Sequence, residues 1–543
     1  MRLVYSILVS LLLFSPSFSH AETKEIISEG TYNMGDGETP SVAESRALLK
    51  AKQIAVEQAG TYVESYSKVK NITLTQDEIQ VLASGLMEVE ILDKKRTVVG
   101  DGINFWVRIK AKVNPDKMEE MAKRVKEKSV VEDYKRIQDA YGKSQKEIVQ
   151  LKKELVQAKE EKEKKKVEAK IAEDEKLFQA NEWFEKGKSS YYHYAGKKNY
   201  SDEAYSDEAI EAYTSAIALN GKFVEAYIER GARYALRGKY DKAVADYSKA
   251  IDIEPNHVRA YFLRGWTYYS KREYDHAIED YSKAITMAPE DAGTYRFRGD
   301  AYIDGKGEYD KAIEDYSKAI SIYKGQYDKE KSRKVLGNEW VIGGLAGSLA
   351  WAYAGRGTAY EGKEMYDKAI VEFKNAIAVA PEFSRGYRGL GLVYNNKKQY
   401  DLAIDNFTKA ISKKYSWTDA WDYYYRARAY EEIEQFDKAI EDYDKAIEID
   451  PDFVPAYALR GGIFALTGKN DRAIADFNKA LSINKKDVEL NKKLFNLRST
   501  VYLRGIVYGV MGQEDKAIED LKKACDMGLP EACRNLRELL RRK

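Results

Sequence analysis

Residues 230–255 read RGARYALRGKYDKAVADYSKAIDIEP, and residues 264–289 read RGWTYYSKREYDHAIEDYSKAITMAP. Gly231 and Gly265 stand 34 residues apart. Each is followed twelve residues later by an Ala, four after that by a Tyr, three after that by another Ala, and then by a Pro. A Tyr-Asp pair precedes the second half of each copy. A fixed period of this length predicts stacked copies of one helical hairpin. A single hairpin cannot bury its apolar face, so the copies must pack on one another as a solenoid.

Working outward, the first signature Ala recurs as Ala209, Ala243, Ala277, Ala312, Ala369, Ala403, Ala439, Ala473 and Ala517. These predict nine hairpins over residues 179–543. Three departures break the period. The first hairpin carries extra residues between Gly187 and Ala209. An insert at about 322–349 holds Trp340 and a predicted turn at Gly343-Gly344. The spacing from Gly461 to Gly505 predicts a lengthened helix.

This array resembles the tetratricopeptide repeat family. The resemblance rests on the small residue at the eighth position, the Tyr-Asp pair and the Ala, aromatic, Ala series. It implies that the second helix of each hairpin starts at the Asp, so Asp241, Asp275, Asp310, Asp367, Asp401, Asp437, Asp471 and Asp515 are expected as N-caps. It also implies a protein or peptide partner on a concave face lined by the first helices. The residues placed there are Arg259, Phe262, Trp266 and Tyr269 in the third hairpin, and Arg296 and Asp300 in the fourth. The fifth adds Trp351 and Glu361, the sixth Arg385, Arg388 and Asn395, and the seventh Trp421, Tyr424, Arg428 and Glu431. Aromatic and Arg groups carry much of the binding energy at protein interfaces. Packing between hairpins is the competing role for each aromatic. The Lys and Asn set with which some members clamp a C-terminal carboxylate is absent from the positions compared.

A second pattern emerges when the copies are compared with one another. Arg230, Arg264, Arg298, Arg356, Arg426, Arg460 and Arg504 precede the small residue, and a carboxylate follows sixteen residues later, or seventeen for Asp315. In the sixth hairpin both positions change, to Leu390 and Asn406; in the first they are Lys186 and Ala212. The joint change predicts a structural ladder of ion pairs, worth at most about 1 kcal/mol each if exposed.

Ahead of the array, residues 1–21 read as a signal peptide. Arg2 is followed by the apolar stretch from Leu3 to Phe14 and by Ser19-His20-Ala21. An uncleaved anchor is the other reading. Residues 22–115 read as a small α+β domain. A strand over Ile26–Tyr32 leads to a helix opened by Ser41-x-x-Glu44 and stopped at Gly60. A second strand over Thr61–Val69 and a short helix capped by Thr75 and Glu78 follow. A hairpin closes the domain, its last strand alternating Phe105, Val107, Ile109, Ala111 and Val113. Residues 116–178 read as a charged helical stalk of order 90 Å. Its seam of Tyr134, Ile137, Tyr141, Ile148, Leu151, Leu155 and Ala158 allows a coiled-coil dimer.

The 22–115 stretch resembles an exported domain of bacterial envelope proteins, among them flagellar-assembly proteins and small outer-membrane lipoproteins. Glu29-Gly30, Glu57-Gln58-Ala59-Gly60, Ser84-Gly85 and the Phe105–Val113 strand carry the resemblance. It implies periplasmic or outer-membrane localisation and peripheral association with an envelope complex. Cys525 and Cys533 resemble the pair that bridges two helices in Sel1-like repeats of exported proteins, which implies a disulfide with the turn at Gly528 and Pro530.

Composition limits the chemistry. Charged residues make up 33% and the formal net charge is only +2, so no global charge argues for nucleic acid. Four His and two Cys, none of them clustered, form no zinc set. No phosphate loop, dinucleotide fingerprint or nucleophile elbow is present, so no catalytic residue, cofactor or metal is expected. The expected fold is mainly α, a solenoid of nine hairpins behind a small α+β domain and a stalk. The expected function is a non-enzymatic exported scaffold. Two other readings stand beside it. One is an accessory or enzyme of cell-wall processing with a pocket in the insert or the first domain. The other is a coiled-coil homo-oligomer.

Overall fold

The computed structural model describes residues 23–35, 38–69, 74–99, 102–113, 128–158, 160–194, 202–333, 339–413, 420–483 and 497–542. The signal-peptide reading lies outside them. Two compact units divide the chain. One holds the residues up to 301 together with 328–342; the other holds 302–327 and the residues from 343 on.

The first unit opens with strand β1 (Lys24–Met34), helix α1 (Pro40–Val69), helix α2 (Gln76–Leu86) and strands β2 (Met87–Val99) and β3 (Gly102–Val113). The sheet is antiparallel with order β1-β3-β2. The five alternating β3 residues are all buried against α1, as expected. Thr75 and Glu78 make the predicted capping box at the start of α2. Two expectations fail. The predicted second strand over 61–69 is helical, and Gly60 does not end α1. The four-residue row Ala43, Ala47, Ala51, Ala55, Ala59 continues to a fully buried Val63, and that burial carries the helix through. The helix also starts at Pro40, so Ser41 lies inside its first turn rather than at the cap.

The predicted stalk is not one helix. Helix α3 (Lys128–Gln157) and helix α4 (Glu161–Tyr194) are separate, with Glu160 accepting the first backbone bonds of α4. Ile148 and Leu151 of α3 pack on Val167 and Ile171 of α4. That pairing makes an antiparallel hairpin and fills the seam within the chain, where a coiled-coil dimer would need it exposed. The side chains of Tyr134 and Ile137 lie outside the described residues.

A buried ionic cluster fastens this hairpin to the first domain. Arg46 of α1 is fully buried, with Nη2 2.6 Å from Asp174 of α4 and the guanidinium 4.4 Å over the Phe178 ring. Lys152 of α3 reaches Glu38 at 2.5 Å and donates to Asn33 O at 2.9 Å. The Thr39 N–H donates to Glu175 at 2.6 Å. Burial raises the Glu175 carboxyl above its ordinary value, with the Thr39 bond opposing it.

The array follows. The C-terminal part of α4 pairs with α5 (Asp202–Leu219). The next hairpins are α6 (Val224–Leu236) with α7 (Tyr240–Ile253), α8 (Val258–Ser270) with α9 (Tyr274–Met287), and α10 (Ala292–Lys306) with α11 (Tyr309–Ser332). Then come α12 (Glu339–Gly362) with α13 (Tyr366–Val379), α14 (Ser384–Asn396) with α15 (Tyr400–Ser412), and α16 (Ala420–Glu432) with α17 (Phe436–Ile449). The series ends with α18 (Val454–Leu466) and α19 (Asn470–Ile483), α20 (Leu497–Val510) and α21 (Glu514–Asp526), and a last helix α22 (Pro530–Arg542). Among the described residues this gives the nine expected hairpins. Cys525 and Cys533 are joined, tying α21 to α22 across Gly528, whose φ is +82°.

The inserts differ from expectation. Gly343 and Gly344 lie inside α12 rather than in a turn, and the insert lengthens α11 and α12 to 24 residues each. The Trp340 side chain lies outside the described residues. Over the described residues α19 and α20 span 14 residues each. The extra spacing before Gly505 falls at 484–496, outside the described residues.

The expected Asp caps are also displaced. α7 begins at Tyr240, and its N-cap Lys239 makes no side-chain bond. Asp241 sits in the first turn, where the helix dipole favours a carboxylate. Its carboxylate instead takes Lys271 of the next hairpin at 2.8 Å, as Asp367 takes Lys397 at 2.8 Å and Asp310 takes Lys363.

The ion-pair ladder is present and more deeply buried than an exposed set. Arg230 binds Asp246 through two bonds of 2.8 and 2.7 Å, and Arg264, Arg426, Arg460 and Arg504 repeat the fork on Asp280, Asp442, Asp476 and Asp520. Arg356 holds Glu372 at 2.9 Å. These carboxylates are buried, so the figure for exposed pairs does not apply. Each Arg also turns Nη1 back to the preceding hairpin, to a residue five after that hairpin's signature Ala. These partners are Thr214, Ser248, Ser282, Ser317, Thr408, Asp444 and Asn478. One side chain thus closes its own hairpin and ties it to the one before. In the sixth hairpin that third position is Lys374, which explains why no Arg stands at Leu390: it would face a like charge.

Two predictions follow from these contacts. Arg46→Met leaves Asp174 buried without its partner and should cost about 3–5 kcal/mol in denaturant unfolding. α1, α3 and α4 should lose structure together. Leu390→Arg alone should lower the melting temperature. Adding Lys374→Ser and Asn406→Asp should restore it to within a few degrees of the parent; no recovery in the triple variant would sink the three-residue logic.

Candidate functional site: the face of the first helices

The second, fifth, ninth and twelfth positions of each first helix share one side at helical spacing. In the first unit this side is largely satisfied internally. Arg259 donates to Glu229 at 2.7 Å. Burial pushes the Glu229 carboxyl up, but Arg259 and Arg233 outweigh it and hold the carboxyl below its ordinary value. Phe262, partly buried, packs on Phe297 at 5.4 Å and Tyr281 at 6.0 Å. Trp266 packs half-buried against the second hairpin's core. Tyr269 stands edge-on to Tyr274 at 5.6 Å. Arg296 meets Asp300 at 3.1 Å and lies 3.9 Å over the Phe297 ring.

The second unit differs. Trp351 is 42% exposed, with Phe383 edge-on at 5.4 Å and the Arg385 guanidinium 4.7 Å over its ring. Arg388 of α14 forks onto Asp422 of α16 at 2.6 and 2.9 Å, and Asp422 is fully buried. Trp421 and Tyr424 gather on Phe453, at 4.8 and 5.7 Å. Arg428 lies 3.9 Å from Glu431 and keeps 44% of its side chain exposed. Tyr443 donates to Glu431 at 2.6 Å, and burial raises that carboxyl. Asn395 Oδ1 is buried with no hydrogen-bond partner among the described residues.

The structure therefore brings together Trp351 with Arg385, Arg388 with α16, and Trp421 with Tyr424. Phe262 is half-buried against Phe297 and Tyr281. Sequence reasoning missed Phe383 and Phe453, which sit just before α14 and α18 and prop the two tryptophans. It also missed Asp422 as the partner of Arg388. A comparison of residues one period apart could have found that pair, since the two stand 34 residues apart. Among the described residues no group of three His, Cys, Asp or Glu is placed to hold a metal ion.

Glu361 is a carboxylate of this face poised near neutrality. Burial raises it to about 7, and a bond from Asn396 at 3.0 Å opposes the rise. A raised folded-state value means the folded chain holds the proton more tightly than the unfolded chain. Its contribution is therefore most favourable below the unfolded value and is lost as pH rises toward 7. Glu361→Gln should flatten the pH dependence of melting in that window. It should also raise stability at pH 8 by on the order of 2 kcal/mol.

Models of the tetratricopeptide repeat match residues 258–291, 292–326, 355–416, 420–453 and 454–487, and a related repeat model matches 231–271. No curated protein matches the chain. Among solved structures, a MamA protein is similar at 25% identity, covering 38% of this chain and 93% of its own, with a TM-score of 0.30. PilW, described as a widely conserved type IV pilus biogenesis factor, is similar at 16% identity over 42% of this chain and 94% of its own, with a TM-score of 0.35. A tetratricopeptide repeat protein from Parabacteroides merdae is similar at 18% identity over 61% of this chain and 98% of its own, with a TM-score of 0.35. With the period, the paired helices and the family models in agreement, residues 231–326, 355–416 and 420–487 of the helical array are tetratricopeptide repeats.

Proposed function

We propose that this chain is a non-enzymatic scaffold of the bacterial envelope that holds a protein or peptide partner on the face of its first helices. The observation that carries the reading is the aromatic and Arg surface of the fifth to seventh hairpins. There Trp351, Arg385 and Arg428 remain partly exposed beside Trp421 and Tyr424. Tetratricopeptide arrays are protein-interaction scaffolds, and such groups are typical anchors at interfaces. The ladder residues are used up in holding the hairpins together. The anchors therefore have to come from the remaining first-helix positions.

Export is supported by the leader at residues 1–21 and by the Cys525–Cys533 bond, since disulfides persist in oxidising compartments. The first domain would bring the chain to an envelope complex.

Affinity capture from an envelope extract with the full chain tests the reading. Trp351→Ala with Arg385→Ala should reduce recovery of the captured partner at least fivefold while melting stays unchanged. Equal recovery would remove this face as the binding site. N-terminal sequencing of the exported protein should start at Glu22.

A further inference from the structure

Among the described residues the sheet order leaves one side of β2 without a strand. Sheet edges are usually protected by charge, bulges or cover, because their backbone groups invite another chain. The distal half of β2 has such protection: Lys94, Lys95 and Arg96 are exposed, and the register breaks between Ile91 and Asp93. The proximal half, Met87–Ile91, keeps an unbroken register and carries the acidic Glu88 and Glu90 in place of a basic run. It borders a cleft of about 1350 Å³.

The cleft lining shows how that strand is presented. Met87 and Val89 point to the core side of the sheet, while Glu88 and Glu90 point to the other, across from Lys112 and Lys110. All four line the cleft. Side chains from both faces of one strand can share a cleft only if it opens on the strand's edge. The other walls are apolar Leu48 and Val56 of α1, and Trp183 of α4, which is 37% exposed. Six glutamates and four lysines line the whole, and two of those lysines, Lys110 and Lys112, lean on Glu25 outside it at 3.0 and 3.8 Å. The cleft is net acidic.

We propose that the Met87–Ile91 edge is a strand-addition site for an extended segment of a partner protein that alternates apolar residues with Lys or Arg. Backbone bonds to β2 supply the pairing. Alternation follows from the two-residue period of a strand. One set of side chains falls over Met87, Val89, Leu48 and Val56; the other falls opposite Glu88 and Glu90, where opposite charge stabilises a cross-strand pair. About five residues fit before the register break, so the pairing is short and calls for a modest affinity. This surface is separate from the first-helix face and does not depend on it.

The test uses the full chain and three labelled nine-residue peptides in fluorescence anisotropy. One alternates Val and Lys, one has the same composition in two blocks, and one is the alternating peptide with a central Pro, which cannot extend a ladder. The alternating peptide should bind at least tenfold tighter than both others. Glu88→Lys with Glu90→Lys should weaken it at least tenfold, and Trp183→Ala, outside the sheet, several-fold. Trp351→Ala should leave it unchanged. Melting curves verify that each variant is folded. Equal binding of the alternating and blocked peptides, retained binding of the Pro peptide, or no binding of any would overturn the proposal. So would self-association of the chain that the Glu88 and Glu90 reversals abolish.

Discussion

The array depends on an aromatic ring pressed against bare backbone. A Cβ added to Gly231 would come within 2.9 Å of Tyr247, and one on Gly357 within 3.0 Å of Phe373. The same Phe373 ring leaves still less room at Gly389 of the following hairpin, 2.2 Å. The ring thus sets the separation of the two helices in a hairpin and of one hairpin from the next. The ladder is a consequence. Arg230 adjoins Gly231 and Asp246 adjoins Tyr247, so seating the ring on the glycine also brings guanidinium and carboxylate into register. A bidentate fork then resists rotation of one helix about the other, which ring packing alone allows.

This explains which parts of the fold could be read. Positions that recur every 34 residues report a contact made in every copy, and comparing the copies exposes them. The closing strand and the α2 cap were legible for a similar reason, because Phe105–Val113 and Thr75–Glu78 are patterns of local geometry. Where the outcome depends on a non-repeated tertiary contact, the local signal misled. Gly60 is a plausible helix stop on its own, but a Cβ there would meet only Ile79 at 3.6 Å, and Val63 gains more by staying in the helical row. The charged stretch after Ala158 reads as a continuation of one helix. The burial of Val167 and Ile171 on Ile148 and Leu151 makes a reversal more favourable.

For the candidate site, register was legible and partnership was not. The second, fifth, ninth and twelfth positions follow from the small residue, yet their freedom depends on charges contributed by neighbouring hairpins. Arg388 is spent on Asp422, and Arg259 on Glu229. Trp351 keeps an exposed ring because its neighbours, Phe383 and Arg385, stand at its edge and over its face. The five-after-Ala position was also in plain view. Thr, Ser, Asp and Asn accept the Arg Nη1 there, and Lys374 cannot, which accounts for the loss of Arg at Leu390.

The first hairpin obeys the same logic from the opposite side. An Arg in the ladder needs a preceding hairpin to reach back to, and here the preceding element is the α+β domain with α3. The start of the array is held instead by Arg46 on Asp174. Next to that pair runs a continuous apolar core, in which Val42 of α1 and Tyr141 of α3 join Phe178 and Phe184 of α4, Tyr213 and Phe223. α4 therefore serves two bodies, clamping the domain with its N-terminal half and seeding the solenoid with its C-terminal half. Lys186, at the ladder position, is released from that duty. It lies 4.6 Å over the Trp183 ring on the wall of the cleft that β2 borders. The departure from the repeat at Lys186 and Ala212 thus marks the place where the array stops packing on itself and begins to present a surface.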